Sequence, residues 1–159
     1  MTTLGGLPDL PKGWVWVQFE VAVDNIPLTG RKLPQGDYSE TGRLPVIDQG
    51  QDYIGGYTNR EEMRVSLDRP VIVFGDHTKV YKYVDFDFVA GADGVKVFTP
   101  VDAFYPKLFY YLVQMIPLPD KGYARHFQFL AKSSVPLPPL PEQHRIVAKI
   151  EELFSDLDA

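Results

Sequence analysis

Residues 133–159 read SSVPLPPLPEQHRIVAKIEELFSDLDA, and no other stretch limits the fold as strongly. Pro136, Pro138, Pro139 and Pro141 hold the backbone extended, so VPLPPLP is predicted to be a stiff strut that sets an angle between the chain before it and the chain after it. Pro141 suits the first helical position, where a missing N–H costs nothing, and Glu142 complements the positive end of the helix dipole. Beyond it Ile146, Ile150, Leu153 and Leu157 recur at spacings of four, three and four, with Val147 and Phe154 widening the stripe. Such a stripe packs against a helix or a core, and its length is compatible both with a coiled-coil seam and with a helix lying on its own domain. His144 on this helix reads as a surface residue.

The chain ahead of the strut changes character near residue 103. Short β-favouring runs, WVWVQFEVAV (14–23), RPVIVF (69–74) and VKVF (95–98), alternate with Gly, Asn, Asp and Pro turn signals. AFYPKLFYYLVQMI (103–116) then predicts a helix of about three turns, and GYARHFQFLAKSS (122–134) a loop leading into a short helix. No internal repeat is visible. The expected architecture is α+β: one domain over 1–135 and a projecting tail over 136–159.

Composition narrows the class. An apolar fraction of 45% in 159 residues closes one core. The absence of cysteine excludes disulfide frameworks and thiolate zinc sites, and suits a reducing cytoplasm. No signal-like N-terminus and no apolar run near the roughly 20 residues of a membrane span is present, which predicts a soluble cytoplasmic protein. The net charge of −5 argues by itself against nucleic acid, but residues 142–159 hold −3 of it, leaving the body close to neutral. Basic residues bunch there as Arg31-Lys32, as Lys79 with Lys82, and as Lys121, Arg125 and His126, a pattern that a solvated surface also produces.

Signs of catalysis are weak. Asp85 and Asp87 would share one strand face as a metal or acid–base pair, but the solvent face of a hairpin with Tyr83, Phe86 or Phe88 buried is the simpler reading. Asp76 and His77 could belong to a hydrolytic triad, yet no serine elbow accompanies them. The sequence lacks H-E-x-x-H, both glycine-rich phosphate motifs, and the Asn/Asp-Pro-Pro-aromatic motif of amino-methyltransferases. No catalytic residue and no metal ligand is assigned.

The junction VPLPPLPEQHRIVAKIEELFSDLD closely resembles the point where the target-recognition domain of a type I restriction-modification specificity subunit passes into its helical spacer. LPKGWVWVQFEVAV at the start is similar to the family's opening, an LP-x-GW followed by a first strand. IDQGQDYIGGYTN, VIVFGDHTKVYKYVDFDFVAGADGVKVF and YPKLFYYLV fall between them in the family's order. The resemblance implies a twisted, partly barrel-like sheet with a few packed helices, followed by the start of a spacer helix. It implies a non-catalytic subunit, one recognition domain reading half of a bipartite double-stranded DNA target. Implied partners are methyltransferase and restriction subunits, with S-adenosylmethionine, ATP and Mg on those partners alone. A second recognition domain, or a second copy of this chain, would pair through Ile146, Val147, Ile150, Leu153, Phe154 and Leu157.

Base edges are read by Arg, Lys, Asn, Gln, Ser and Thr, and phosphates by Lys, Arg and hydroxyls. Three segments offer that mixture. Residues 47–60 carry Gln49, Gln51, Tyr53, Tyr57, Thr58, Asn59 and Arg60 among glycines. Residues 75–82 present His77, Thr78, Lys79 and Lys82 in a turn and hairpin, and residues 121–127 add Lys121, Tyr123, Arg125 and His126. Each segment alone reads as a polar loop, and the resemblance makes the set a candidate DNA surface. Alternatives are a recognition domain from a related modification system, a protein-interaction module that docks through the striped helix without DNA, and a small hydrolase built on Asp76 and His77.

Overall fold

A computed structural model describes the backbone of residues 2–3 and the chain at residues 6–122 and 124–158. Two four-stranded sheets and two strand pairs account for β1 to β12. The first sheet is antiparallel, in the order β4 (Val23–Asn25), β11 (Val95–Pro100), β8 (Val71–Gly75), β9 (Tyr81–Val84). In the second, β5 (Lys32–Leu33), β10 (Val89–Gly91), β6 (Leu44–Ile47) and β7 (Gly56–Thr58) lie side by side, with β10 parallel to β5 and β6. β3 (Val15–Gln18) pairs with β12 (Ser134–Leu137), and β1 (Thr2–Thr3) with β2 (Leu7–Pro8).

All five residues of β8 are buried because both faces of its sheet are covered. Val71 and Val73 point into an aliphatic core shared with Ile47, Phe88 and Ala90 of the second sheet. Ile72 and Phe74 point the other way, into an aromatic core with Phe19, Phe98, Phe104 and Phe109 under the helices. The period of two along a strand thus splits one apolar run between two cores. The result is a mixed α+β domain with a curled, half-barrel sheet, as expected.

WVWVQFEVAV is not one strand. β3 gives way to a helical turn, α1 (Phe19–Ala22), before β4 resumes. Phe19 and Ala22 are both buried, and an uninterrupted strand would send them to opposite faces. The helix expected over 103–116 is α2 (Pro106–Gln114), and the short helix over 122–134 is α3 (Phe127–Ala131).

VPLPPLP does not stand free as a strut. Val135, Pro136 and Leu137 pair with Val17, Trp16 and Val15, so the boundary expected at 135/136 falls inside β12. Proline is tolerated there because β12 has one strand neighbour and need not donate on both sides. α4 (Leu140–Asp158) begins one residue early, placing Pro141 second, and the amides of Glu142 and Gln143 donate to Pro139 O at 3.0 and 3.2 Å.

The first half of α4 packs into its own domain, and the second half stays exposed, touching the domain at Glu151 and Phe154. Gln143 and Val147 are buried and Ile146 and Ile150 half-buried, whereas every residue from Glu151 to Asp158 is exposed. Tyr111 reaches along the helix, its ring 6.1 Å from that of Phe154, and Lys107 lies 3.9 Å from Glu151. Exposed His144 stacks on Tyr105 at 4.2 Å. No helix among the described residues is long and apolar enough to cross a membrane.

Candidate nucleic-acid interface

β6 ends at Ile47, and the next two side chains turn into the domain. Asp48 accepts hydrogen bonds from the Tyr38 hydroxyl at 3.0 Å and from the Gly50 amide at 2.9 Å. Lys82 Nζ lies 3.6 Å from Asp48 Oδ1 and donates to the carbonyl of Asp52 at 2.6 Å. Burial pulls the Lys82 ammonium below its usual range against the opposing pull of Asp48. Burial, reinforced by Asp48, raises the Tyr38 phenol. Loop 48–55 is therefore held from beneath.

Gln49 ties that loop to the β8–β9 turn. Its Oε1 accepts the His77 amide at 3.0 Å, its Nε2 donates to Asp93 O at 3.0 Å, and its own carbonyl accepts the Thr78 hydroxyl at 2.8 Å. Lys79, at the tip of the turn, adopts a φ of 62° and points Nζ to within 3.9 Å of Asp120.

Asp76 then connects the turn to α3. Its buried carboxylate Oδ1 accepts the amides of His126 at 2.9 Å and Phe127 at 2.8 Å, satisfying donors at the start of that helix. Oδ2 lies 3.7 Å from the guanidinium of Arg125, whose side chain is 70% exposed. The His126 ring is fully buried, Nδ1 donating to Asp76 O at 3.0 Å and Nε2 accepting the Lys121 amide at 3.4 Å. A carbonyl only accepts and an amide only donates, so these partners fix which nitrogen carries hydrogen.

The structure thus brings together parts of all three polar segments. Gln51, Thr78, Lys121 and Arg125 are exposed around this cluster, with Lys79 and His77 half-exposed beside them. Three candidates are withdrawn from the surface: Lys82, His126 and Thr58 are buried, the first two in the hydrogen bonds just described. Tyr53 lies apart, its hydroxyl donating to Tyr83 O and its ring 6.1 Å from Phe86. Tyr57 pairs through its backbone with Ser39, Asn59 accepts the Arg43 amide at 2.8 Å, and Arg60 lies 3.6 Å from Asp37. These three belong to a separate patch around β7. Tyr123 lies outside the described residues.

Two features escaped the sequence reading. Lys96 sits 5.9 Å over the Phe127 ring, and with Lys32 it lines a groove of about 650 Å3 between the 25–32 segment, from the end of β4 onward, and the start of β11. Lys107 covers the Tyr83 ring at 4.3 Å, beside Tyr110 at 5.7 Å, and burial pushes the Tyr83 phenol up to about 12. Both juxtapose residues too far apart in the chain for spacing to reveal.

The enzymatic readings lose their geometry. Asp76 is occupied in holding α3. Asp85 and Asp87 lie beyond β9 instead of on one strand face, and Asp87 binds Arg64 at 2.8 Å and the Leu67 amide at 2.9 Å. Those two bonds, the amide first, hold its carboxyl below the usual range. No group of three potential metal ligands occurs among the described residues.

A family model described as Type I restriction modification DNA specificity domain matches residues 19–159. The chain belongs to this family. Over 139 residues it is 31% identical to the EcoR124I/EcoR124II type I restriction enzyme specificity subunit of Escherichia coli, covering 77% of this chain and 34% of that protein. It is 26% identical over 170 aligned residues to the EcoDI specificity subunit of the same organism, covering 96% and 37%. The chain therefore spans little more than a third of the length of these curated relatives. The HsdS subunit from Thermoanaerobacter tengcongensis shares the fold, with a TM-score of 0.63 at 22% identity over 98% of this chain and 40% of that one. As a specificity-domain family member, the chain is related to subunits named for specificity.

Proposed function

We propose that this domain reads one half of a bipartite duplex DNA target and presents it to methyltransferase subunits that carry the S-adenosylmethionine chemistry. The single observation that carries the reading is the convergence of three polar segments on Gln49 and Asp76, beside which Thr78, Lys79, Lys121 and Arg125 stand partly or fully exposed, with exposed Gln51 two residues on from Gln49. Arg, Gln and Thr suit base edges, and Lys suits phosphate. Lys32 and Lys96 extend the positive charge along the adjoining groove. Family membership supports the DNA partner. In this reading ATP and Mg belong to restriction and modification partners, and this chain performs no chemistry.

The exposed end of α4 would continue as the spacer, with Leu153, Phe154 and Leu157 meeting a second recognition half or a second copy of this chain. That surface also favours a second reading, docking through α4 with no DNA contact, because Leu157 is 80% exposed. Titration of fluorescent duplex DNA separates the two. The lone domain should bind weakly, with affinity falling steeply as salt rises, and methyltransferase should tighten binding by enclosing the DNA. Binding that is tight and indifferent to salt, or absent even with methyltransferase, rejects the DNA reading. Mapping adenine methylation in cells with and without the gene tests the biological role.

A further inference from the structure

Gln49 occupies the centre of the proposed DNA surface without being free to read a base. Its amide oxygen and one of its amide hydrogens are engaged by His77 and Asp93, and its backbone carbonyl by Thr78. Reading adenine by a glutamine uses the oxygen and an N–H of the same amide together. Here they are turned to two backbone segments of the domain.

The space around this side chain is made by glycine. A Cβ on Gly75 would meet Gln49 Cβ at 2.7 Å and Thr78 Oγ1 at 2.2 Å. One on Gly94, whose φ is 72°, would meet Gln49 Nε2 and His77 Cδ2, both at 2.7 Å. Asp48 beside it is bracketed in the same way by Gly55 and Gly91. Gly94 O accepts the Asp76 amide at 2.7 Å, and Asp76 in turn holds the start of α3. A continuous set of hydrogen bonds therefore runs from loop 48–55 through Gln49, the 76–79 turn and Asp76 to α3, with Arg125 in an ion pair to Asp76 at 3.7 Å.

We infer that Gln49 is a positioning residue, setting the relative placement of the three DNA-facing segments so that sequence preference depends on it although it contacts no base. The inference rests on the DNA reading above. Loss of a base contact alters discrimination at one base pair, whereas loss of a shared support alters it at several.

The test uses the full specificity subunit with its methyltransferase and a duplex library randomised across both half-sites. Gln49→Ala should relax selection at several base pairs of this domain's half-site and leave the other half-site unchanged. Gln49→Glu, which keeps an acceptor for the His77 amide and loses the donor to Asp93 O, should fall between. In the same subunit without DNA, hydrogen exchange of the His77 amide should quicken by roughly tenfold in Gln49→Ala, the effect of one lost hydrogen bond. If the Ala variant does not fold, Gln49→Glu carries both measurements, with exchange then read at the Gly94 amide beside the lost Asp93 bond instead of at His77. Loss at one base pair with unchanged exchange would make Gln49 a base contact and overturn the inference. Faster exchange with unchanged selection would overturn it equally. A wild-type complex that selects nothing at this half-site defeats the DNA reading itself, and is recognised because the exchange difference then stands with no selection to lose.

Discussion

The side-chain oxygen of Gln143 accepts the backbone amide of Tyr105 at 2.7 Å, joining the first turn of α4 to the N-cap of α2. Gln143 is wholly buried, and its Nε2 donates to Ala103 O at 2.8 Å and Pro138 O at 2.9 Å. One residue to the N-terminal side, Glu142 accepts the Trp14 indole N–H at 2.6 Å. The helix leaves the domain at an angle set by hydrogen bonds as well as by proline.

Gln143→Ala should therefore cost about 1–3 kcal/mol, since it leaves the part-buried Tyr105 amide and the Ala103 and Pro138 carbonyls without their partner. Urea unfolding measures it. A cost below about 0.5 kcal/mol would mean that the joint contributes little.

The two halves of the α4 stripe should behave differently. Val147→Ala removes buried apolar contact and should lower stability by about 1–2 kcal/mol without affecting association. Leu153→Glu with Leu157→Glu should leave stability within about 0.5 kcal/mol and abolish any concentration-dependent dimer. Sedimentation equilibrium checks both. A double-Glu chain that melts earlier, with wild type monomeric throughout, would mean that the far half also serves its own domain.

Lys79→Ala or Arg125→Ala should weaken duplex binding by about 1–3 kcal/mol where the contact is bidentate to a base, and by less where it is to phosphate. A phosphate contact also lowers the salt slope by about one. The Lys79 pair reaches an exposed Asp120, so thermal unfolding should barely move in Lys79→Ala, whereas Arg125→Ala removes the cation beside the buried Asp76 carboxylate, which keeps its two amide donors, and should lower the melting temperature slightly. Unchanged binding in both variants would remove this face from the DNA surface.

Alkaline pH should destabilise the domain. Burial is the leading cause that raises the phenols of Tyr38, Tyr53, Tyr81, Tyr83, Tyr110 and Tyr111 above their ordinary 10.0. The unfolded chain loses these protons first, so stability is intact below pH about 10 and falls as pH climbs through the folded values. Lys82 works in the opposite sense: its lowered folded value makes stability rise with pH up to the ordinary 10.5. Six phenols should outweigh one ammonium. Among the described residues the Tyr81 hydroxyl is buried without a hydrogen-bond partner, so Tyr81→Phe should stabilise by about 1 kcal/mol and flatten the alkaline loss. Urea midpoints across the alkaline range decide it, and a midpoint rising with pH in wild type contradicts the sign.

Much of this domain was legible as local pattern. Proline spacing, a helical stripe and the PKGW and PLPPLPEQ segments pointed to the family and to an α+β fold with a terminal helix, because each is read within a dozen or so neighbouring residues. The contact between them, Trp14 to Glu142, spans 128 positions and no local pattern reports it. Strand alternation did carry one unused signal: Lys82 shares a face with buried Val84, which foretold its burial. The same periodicity could not say that WVWVQFEVAV breaks into a helical turn, since that depended on a core for Phe19 and Ala22 to enter together. Chemical type, turn signals and helix periodicity are properties of the sequence by itself, and they determined the elements and the pool of polar candidates. Only the tertiary structure decided which candidates meet solvent, because burial is conferred by partners distant in the chain: Asp76 draws His126 inward across 50 positions, Asp52 draws Lys82 across 30, and Arg125 beside them is left outside.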